Sequence, residues 1–166
     1  MGRFARISLW AAVVVTFAVL VVPVAQAHVA CTPGFWKNHL NAWPSPYTPD
    51  TTLKQAFAVE GWSFPSQISS DLTNATLLQA LQFQGGPGID GAFQILMRAA
   101  TAALLNAQEF GAPPFEWDTL AVIADVHAAM PFGETPVRDD MLAWAMLFDY
   151  FNNAEGGCPL GGPGTM

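Results

Sequence analysis

Apolar residues in this chain recur at three- and four-residue spacings, in runs that are separated by proline and glycine. In the longest run, at about residues 91–108, one continuous helical stripe is formed by Phe93, Met97, Ala100 and Leu104. No segment shows the strict alternation of β-branched and polar residues that a half-buried strand requires. The pattern therefore predicts an all-α protein with five or six helices around one core.

Helix-capping signals predict where these helices begin. Thr32 before Pro33 is typical of an N-cap and a first helical residue, and it predicts a short helix that ends before Pro44. One face of this helix is expected to carry Trp36, His39, Leu40 and Trp43. Thr135 and Pro136 repeat the signature and predict the start of the last helix. The other helices are expected at about residues 50–58, 73–84, 91–108 and 118–130, with caps at Asp50 or Thr51, Thr73 or Asn74, Asp90, and Asp118 or Thr119.

The first 27 residues have the features of a secretory signal peptide. Two arginines precede an uncharged run at residues 7–22, and Pro23 and a small-residue site at 25–27 follow it. Cleavage is expected after Ala27, which predicts a secreted, periplasmic or cell-surface protein with no membrane span after cleavage. The predicted organisation is a signal peptide at 1–27, a helical domain at 28–160 and a flexible Gly/Pro-rich tail at 161–166.

The composition indicates a single folded domain and excludes some partners. Of the 166 residues, 52% are apolar and 11% are charged, which is too apolar for a disordered segment. Two of the six basic residues lie in the signal peptide, so four remain against thirteen acidic residues, a net charge of −9. Nucleic acid is not expected as a partner, because binding its phosphates needs a basic surface.

The two cysteines lie near the two ends of the predicted mature chain. An even pair without metal-ligand spacing, in an oxidising compartment, most simply forms one disulfide between Cys31 and Cys158. The alternative is a lipoprotein acylated at Cys31, because the residues before it resemble a lipobox at two positions. His28 occupies the third position, where an aliphatic residue is expected.

Residues 31–39 read Cys-Thr-Pro-Gly-Phe-Trp-Lys-Asn-His, and Ala-Trp-Pro follows at 42–44. This string resembles the hallmark of a module of exported bacterial and archaeal proteins, Cys-Thr-Pro-Gly-(Tyr/Phe)-Trp-Lys-Asn-His. The likeness continues through the Gly-Gly-Pro-Gly sequence at 85–88 to Gly-Cys-Pro-Leu at 157–160, and so covers nearly all of the predicted mature chain. The resemblance implies a secreted or surface-displayed module without an established activity, and it assigns no catalytic residue.

Cleavage after Ala27 would make His28 the first residue of the mature chain. Its amino nitrogen and ring nitrogen can chelate one metal ion, and a further imidazole would complete a histidine brace that suits copper. Such a site resembles those of lytic polysaccharide monooxygenases and of small copper carriers. His39 is the preferred further ligand because it follows closely in the chain, and His127 is the other.

Aromatic residues offer another kind of binding surface. A cluster of Phe35, Trp36, Trp43 and Trp62, with Phe64, would stack on sugar rings if exposed and would form core if buried. Two hypotheses follow from the sequence. The favoured one is a non-catalytic extracellular module that binds a protein or a glycan. The alternative is a copper-binding protein, either a carrier or an oxidative enzyme.

Overall fold

The computed structural model describes residues 28–153 and 156–161, and within these ranges the chain is all-α without strands, as predicted. The predicted signal peptide at 1–27 and residues 162–166 of the predicted tail lie outside the described residues. A 3₁₀ turn at Leu40–Ala42 follows α1. The seven described α-helices are α1 (Pro33–Asn38), α2 (Leu53–Phe57), α3 (Ser70–Thr73), α4 (Leu77–Leu81), α5 (Gly88–Phe110), α6 (Thr119–Ala129) and α7 (Arg138–Asn152). The single-turn helix α3, just before the helix expected from about residue 73, was not predicted and accounts for the difference from six.

Helix α5 is the centre of the fold. Every residue from 99 to 107 is buried, and five of these nine are alanine. Helices α1, α4, α6 and α7 all pack on α5, and α7 makes the most extensive contact. Small side chains allow this close approach from several sides, which explains why residues 99–107 of α5 are buried all round rather than on one stripe. The predicted stripe of Phe93, Met97, Ala100 and Leu104 is fully buried.

Two predicted N-caps are confirmed. The Thr32 side chain accepts a hydrogen bond from the Phe35 amide at 3.1 Å, and the Asp118 side chain accepts one from the Ala121 amide at 2.8 Å. Each satisfies a backbone donor that has no partner within its helix. These caps fix where α1 and α6 begin.

The cap of α2 lies one or two positions after the residues expected from the sequence, and the cap of α4 lies two or three positions after them. The two caps are Thr52 and Thr76, and each forms a reciprocal capping box with a glutamine three residues later, Gln55 and Gln79. The two N-termini also bond to each other, because the Leu53 amide donates to the Ala75 carbonyl at 2.9 Å. The paired starts of α2 and α4 therefore stabilise one another.

Three other expectations at helix ends are wrong. Helix α5 begins at Gly88, and Asp90 in its first turn instead accepts hydrogen bonds from the backbone and hydroxyl groups of Ser69. Helix α7 begins at Arg138 with Val137 as its N-cap, so Pro136 lies buried in the preceding loop and is not the first helical residue. Helix α1 ends at Asn38, so His39 and Leu40 are exposed and do not share the buried face of Trp36.

The turn between α4 and α5 requires glycine. A side chain at Gly91, which is buried, would collide with the backbone of Gly86. Gly85 also has a positive φ of 79°, and a side chain there would meet Ile95. The close approach of this turn to the first turn of α5 therefore depends on missing Cβ atoms.

A disulfide joins Cys31 and Cys158, with their Cα atoms 4.4 Å apart, as predicted. The bond uses the Cys31 sulfur that lipidation would need, which argues against the lipoprotein alternative. In the part of the chain that the structure describes, no helix has the length and hydropathy needed to cross a bilayer.

Candidate functional sites around the disulfide and on helix α7

Asn106, in the middle of α5, holds the segment that carries the first cysteine. Its side-chain oxygen accepts hydrogen bonds from the Cys31 amide at 2.8 Å and from the Trp36 indole at 3.1 Å. Its side-chain nitrogen donates to the Cys31 carbonyl at 2.9 Å and to Asn152 Oδ1 at 2.8 Å. The Asn106 amide thus uses both donors and two acceptor sites while fully buried.

The string at residues 31–39 has a structural half and an exposed half. Cys31 and Trp36 are fully buried, and the Trp36 carbonyl accepts a hydrogen bond from the Trp43 indole at 2.9 Å. Lys37, Asn38 and His39 are exposed at the end of α1. The buried residues of the string stabilise the fold, and its exposed residues at 37–39 are accessible to a binding partner.

A groove of about 430 Å³ lies between this exposed half and the C-terminal segment. Polar side chains of Thr32, Asn38, His39 and Asn153 line it, and Cys158 and the buried Asn152 contribute to its wall. The groove has a neutral polar lining that includes one imidazole. A larger groove of about 700 Å³ runs along residues 63–70, and Lys54 is the charged side chain in its described lining.

The three histidines make separate contacts. His39 stacks on Phe35 with ring centroids 4.2 Å apart, and its Nδ1 lies 2.9 Å from the Phe35 carbonyl oxygen, to which it donates. His127 stacks on Trp62 at 3.8 Å, and its Nε2 lies 2.7 Å from the carbonyl oxygen of Phe57. Neither histidine is among the contacts of His28.

His28 lies at the edge of the domain beside an acidic residue. Its Nδ1 is 3.7 Å from Glu116 Oε2, and its ring contacts the edge of Phe151. Its carbonyl accepts a hydrogen bond from the Gly156 amide at 3.1 Å. Among the described residues, no three His, Cys, Asp or Glu side chains form a group that could hold a metal ion. This absence does not test a brace, because a brace is made of two histidine side chains and one main-chain amine. The copper hypothesis therefore stays a prediction.

Most of the predicted aromatic cluster serves packing. Trp36 and Phe64 are buried, and Phe35, Trp43 and Trp62 are partly buried against the core. The Trp62 indole donates to the Met130 carbonyl at 3.3 Å, and its ring stacks on His127 and makes a T-shaped contact with Phe64. The structure does not gather these rings into one exposed platform for sugars.

The sequence reasoning missed an apolar surface on α7. Ala143, Met146, Leu147 and Tyr150 are exposed and recur at helical spacing, and we call these four residues the outer face of α7. Met146 is 75% exposed and Tyr150 is 73% exposed. Asp139, Asp140 and Asp149 are exposed on the same helix. The sequence carried the signal, since this stripe repeats beside the buried one formed by Met141, Ala145 and Phe148.

Comparisons with protein-family models, with curated proteins and with solved structures found no match to this chain.

Proposed function

We propose that this chain is an exported, non-catalytic module that binds a partner protein through the outer face of α7. The observation that carries the proposal is the apolar stripe of Ala143, Met146, Leu147 and Tyr150, which points away from α5. Exposed large apolar side chains that adjoin one another typically mark interaction sites. A protein partner is favoured over a glycan because the aromatic rings that would stack on sugars are engaged in packing.

Charge indicates the chemistry of the partner. The apolar stripe shares its helix with three exposed carboxylates, Asp139, Asp140 and Asp149. A complementary partner presents apolar side chains flanked by lysine or arginine. A second copy of this chain fits poorly, because each mature chain carries a net charge of −9 and the same carboxylates would face each other.

Export is supported by the disulfide and by the packing at His28. Disulfides persist in oxidising compartments outside the cytoplasm. Backbone hydrogen bonds join His28 to Gly156 and Ala30 to Gly157, so the folded body includes the first residue after the predicted cleavage site. Intact mass of the protein recovered from an exporting host tests this part. We expect a chain that begins at His28 and lacks two hydrogens, whereas an uncleaved chain or two alkylatable thiols would contradict export.

The binding surface is tested with a synthetic amphipathic helix that has leucine on one face and lysine on the other. We expect it to bind the parent protein, and to bind Met146→Ser/Tyr150→Ser at least tenfold more weakly, which is about 1.4 kcal/mol. Fluorescence anisotropy of the labelled peptide measures both affinities, and added salt is expected to weaken both.

A matched control is available on other parts of the surface. Leu120 and Phe132 are 74% and 64% exposed, so Leu120→Ser/Phe132→Ser removes comparable apolar area away from α7. We expect this variant to bind the peptide as the parent does. Equal weakening by both double variants, or no binding by the parent, would rule out the outer face of α7 as the docking surface.

A further inference from the structure

The side chain of His28 lies beside that of Glu116, an acidic residue that the sequence hypothesis did not consider. Glu116 directly follows Phe115, which is buried in the core, so the backbone that carries its carboxylate is anchored. His28 Nδ1 and Glu116 Oε2 are 3.7 Å apart, and both side chains are partly exposed, at 50% and 39%. Two potential metal-ligand atoms, from segments that are distant in the sequence, therefore lie close together at an accessible point of the surface.

We propose that the mature protein binds one Cu(II) ion through the amino nitrogen of His28, its Nδ1 and the carboxylate of Glu116. The proposal rests on the cleavage after Ala27 that belongs to the proposed function, because this cleavage creates the free amino group. It does not depend on the outer face of α7. Glu116 takes the place of His39 or His127 as the third ligand.

The distance between the two donors fits one shared metal ion. Nitrogen and oxygen ligands bind such ions at about 2.0–2.2 Å, so two donors of one ion lie at most roughly 4 Å apart. The separation of 3.7 Å lies within this limit before any side chain moves. The amino group and Nδ1 of the same histidine close a chelate ring, which adds a donor without recruiting another segment of the chain.

Hydrogen bonds hold the two ligand-bearing segments together. The His28 carbonyl accepts from the Gly156 amide, and the Val29 amide donates to the Pro114 carbonyl at 3.4 Å, two residues before Glu116. A side chain at Gly156 would collide with the His28 carbonyl, so this approach depends on glycine. The site is consequently preorganised, and binding does not have to fix a free terminus.

The donor set selects copper among the common divalent ions. An amine, an imidazole and a carboxylate form a nitrogen- and oxygen-rich set, for which Cu(II) stands highest in the order of divalent affinities and adopts tetragonal geometry. Water completes the coordination. The amine and the imidazole bind only in their deprotonated forms, so the apparent affinity is expected to rise with pH.

The other histidines are less suited to this role. His39 and His127 each make a ring-to-carbonyl contact of their own and each stack on an aromatic ring. Bringing either to His28 would break those contacts. Glu116, in contrast, already places a carboxylate oxygen beside the His28 ring.

The test uses exported full-length mature protein whose intact mass shows His28 as the first residue. Cu(II) is titrated in competition with a chelator of known affinity, and the bound ion is examined by electron paramagnetic resonance. We expect one copper per chain, a tetragonal spectrum with nitrogen couplings, and at least tenfold weaker binding by Glu116→Gln. One alanine inserted before His28 is expected to abolish the chelate.

The control variants are Glu109→Gln, which removes another exposed carboxylate, and His39→Ala and His127→Ala. We expect the parent affinity and spectrum in all three, with circular dichroism showing that every variant is folded. Unchanged binding by Glu116→Gln, weakening by either histidine variant, or no copper bound by the parent would overturn the assignment. An intact mass that does not begin at His28 would instead contradict the export proposal, and protein released from a fusion with His28 first would still test the site.

Discussion

Asn106 is a polar residue inside a run of buried alanines and leucines. Its amide contacts both backbone groups of Cys31, the Trp36 indole and Asn152, while Asn152 Nδ2 donates to the Ala99 carbonyl at 2.9 Å. A buried network whose members are all hydrogen-bonded specifies one arrangement of its parts, because each lost partner leaves a desolvated group unpaired. This network positions Cys31 for its disulfide.

We predict that Asn106→Ala lowers the free energy of unfolding by at least about 3 kcal/mol, because it leaves several buried donors and acceptors without partners. Urea denaturation with the disulfide intact measures the loss. The control is Thr101→Val on the same helix, since the buried Thr101 hydroxyl has no hydrogen-bond partner among the described groups. Thr101→Val is expected to be neutral or stabilising, and a similar loss in both variants would argue against the network.

Asp125 gives a second prediction at this scale. Burial raises the pKa of its carboxyl above the ordinary value of 3.8, and the hydrogen bond with Trp117 opposes this rise more weakly. Because the folded state holds this proton more tightly, ionisation destabilises the fold as the pH rises through the raised pKa. We expect the difference in Tm between Asp125→Asn and the parent to shift in favour of the variant as the pH rises from about 3 to about 6. Equal Tm differences at pH 3, 5 and 7 would contradict this assignment.

At the scale of elements, the sequence predicted the type of each long helix but not every boundary. Apolar spacing identified α5, α6 and α7, because burial on a helix face leaves a periodic pattern. The caps of α2 and α4 were misplaced because neighbouring threonines offer equivalent caps, and pairing of the two helix starts selects Thr52 and Thr76. Single-turn α3 left no periodic signal because it has four residues.

We predict that Gly91→Ala is strongly destabilising, by about 2 kcal/mol or more, although alanine favours helices. The new methyl group would collide with the Gly86 backbone, so the turn must move away from α5. Gly34→Ala in α1 is the control, because a Cβ added at Gly34 would lie 3.6 Å from Thr32 Oγ1, which is an ordinary van der Waals contact. Thermal unfolding compares both variants. A small effect of Gly91→Ala would show that the turn can relax without loss of packing.

At the scale of the whole molecule, one covalent bond joins segments 127 positions apart in the sequence. The sequence predicted this pair because the chain has two cysteines and both lie near the ends of the predicted mature chain. The surroundings of the predicted site residues were not predictable. Whether His28 meets His39 or Glu116 depends on how the ends of α1 and α5 are placed, and no local pattern encodes that placement.

We predict that reducing the disulfide lowers the free energy of unfolding by about 5 kcal/mol in the chain-entropy model, because the released loop is long. Denaturation midpoints with and without a phosphine reductant measure the effect. The chain has no other cysteine, so the reductant acts on this bond alone. An unchanged midpoint would show that the Asn106 network and helix packing hold the two ends together without the covalent bond.

The position of this bond also sets an order of events during synthesis. Cys158 is synthesised 127 residues after Cys31, so the Cys31 thiol cannot form this disulfide until Cys158 has emerged. A chain that stops before Gly156 cannot form this disulfide, and it also lacks the residues that bond to His28 and Ala30. Oxidation therefore marks molecules that have been synthesised at least as far as Cys158, and a protease that attacks loosely held ends would distinguish them from shorter chains.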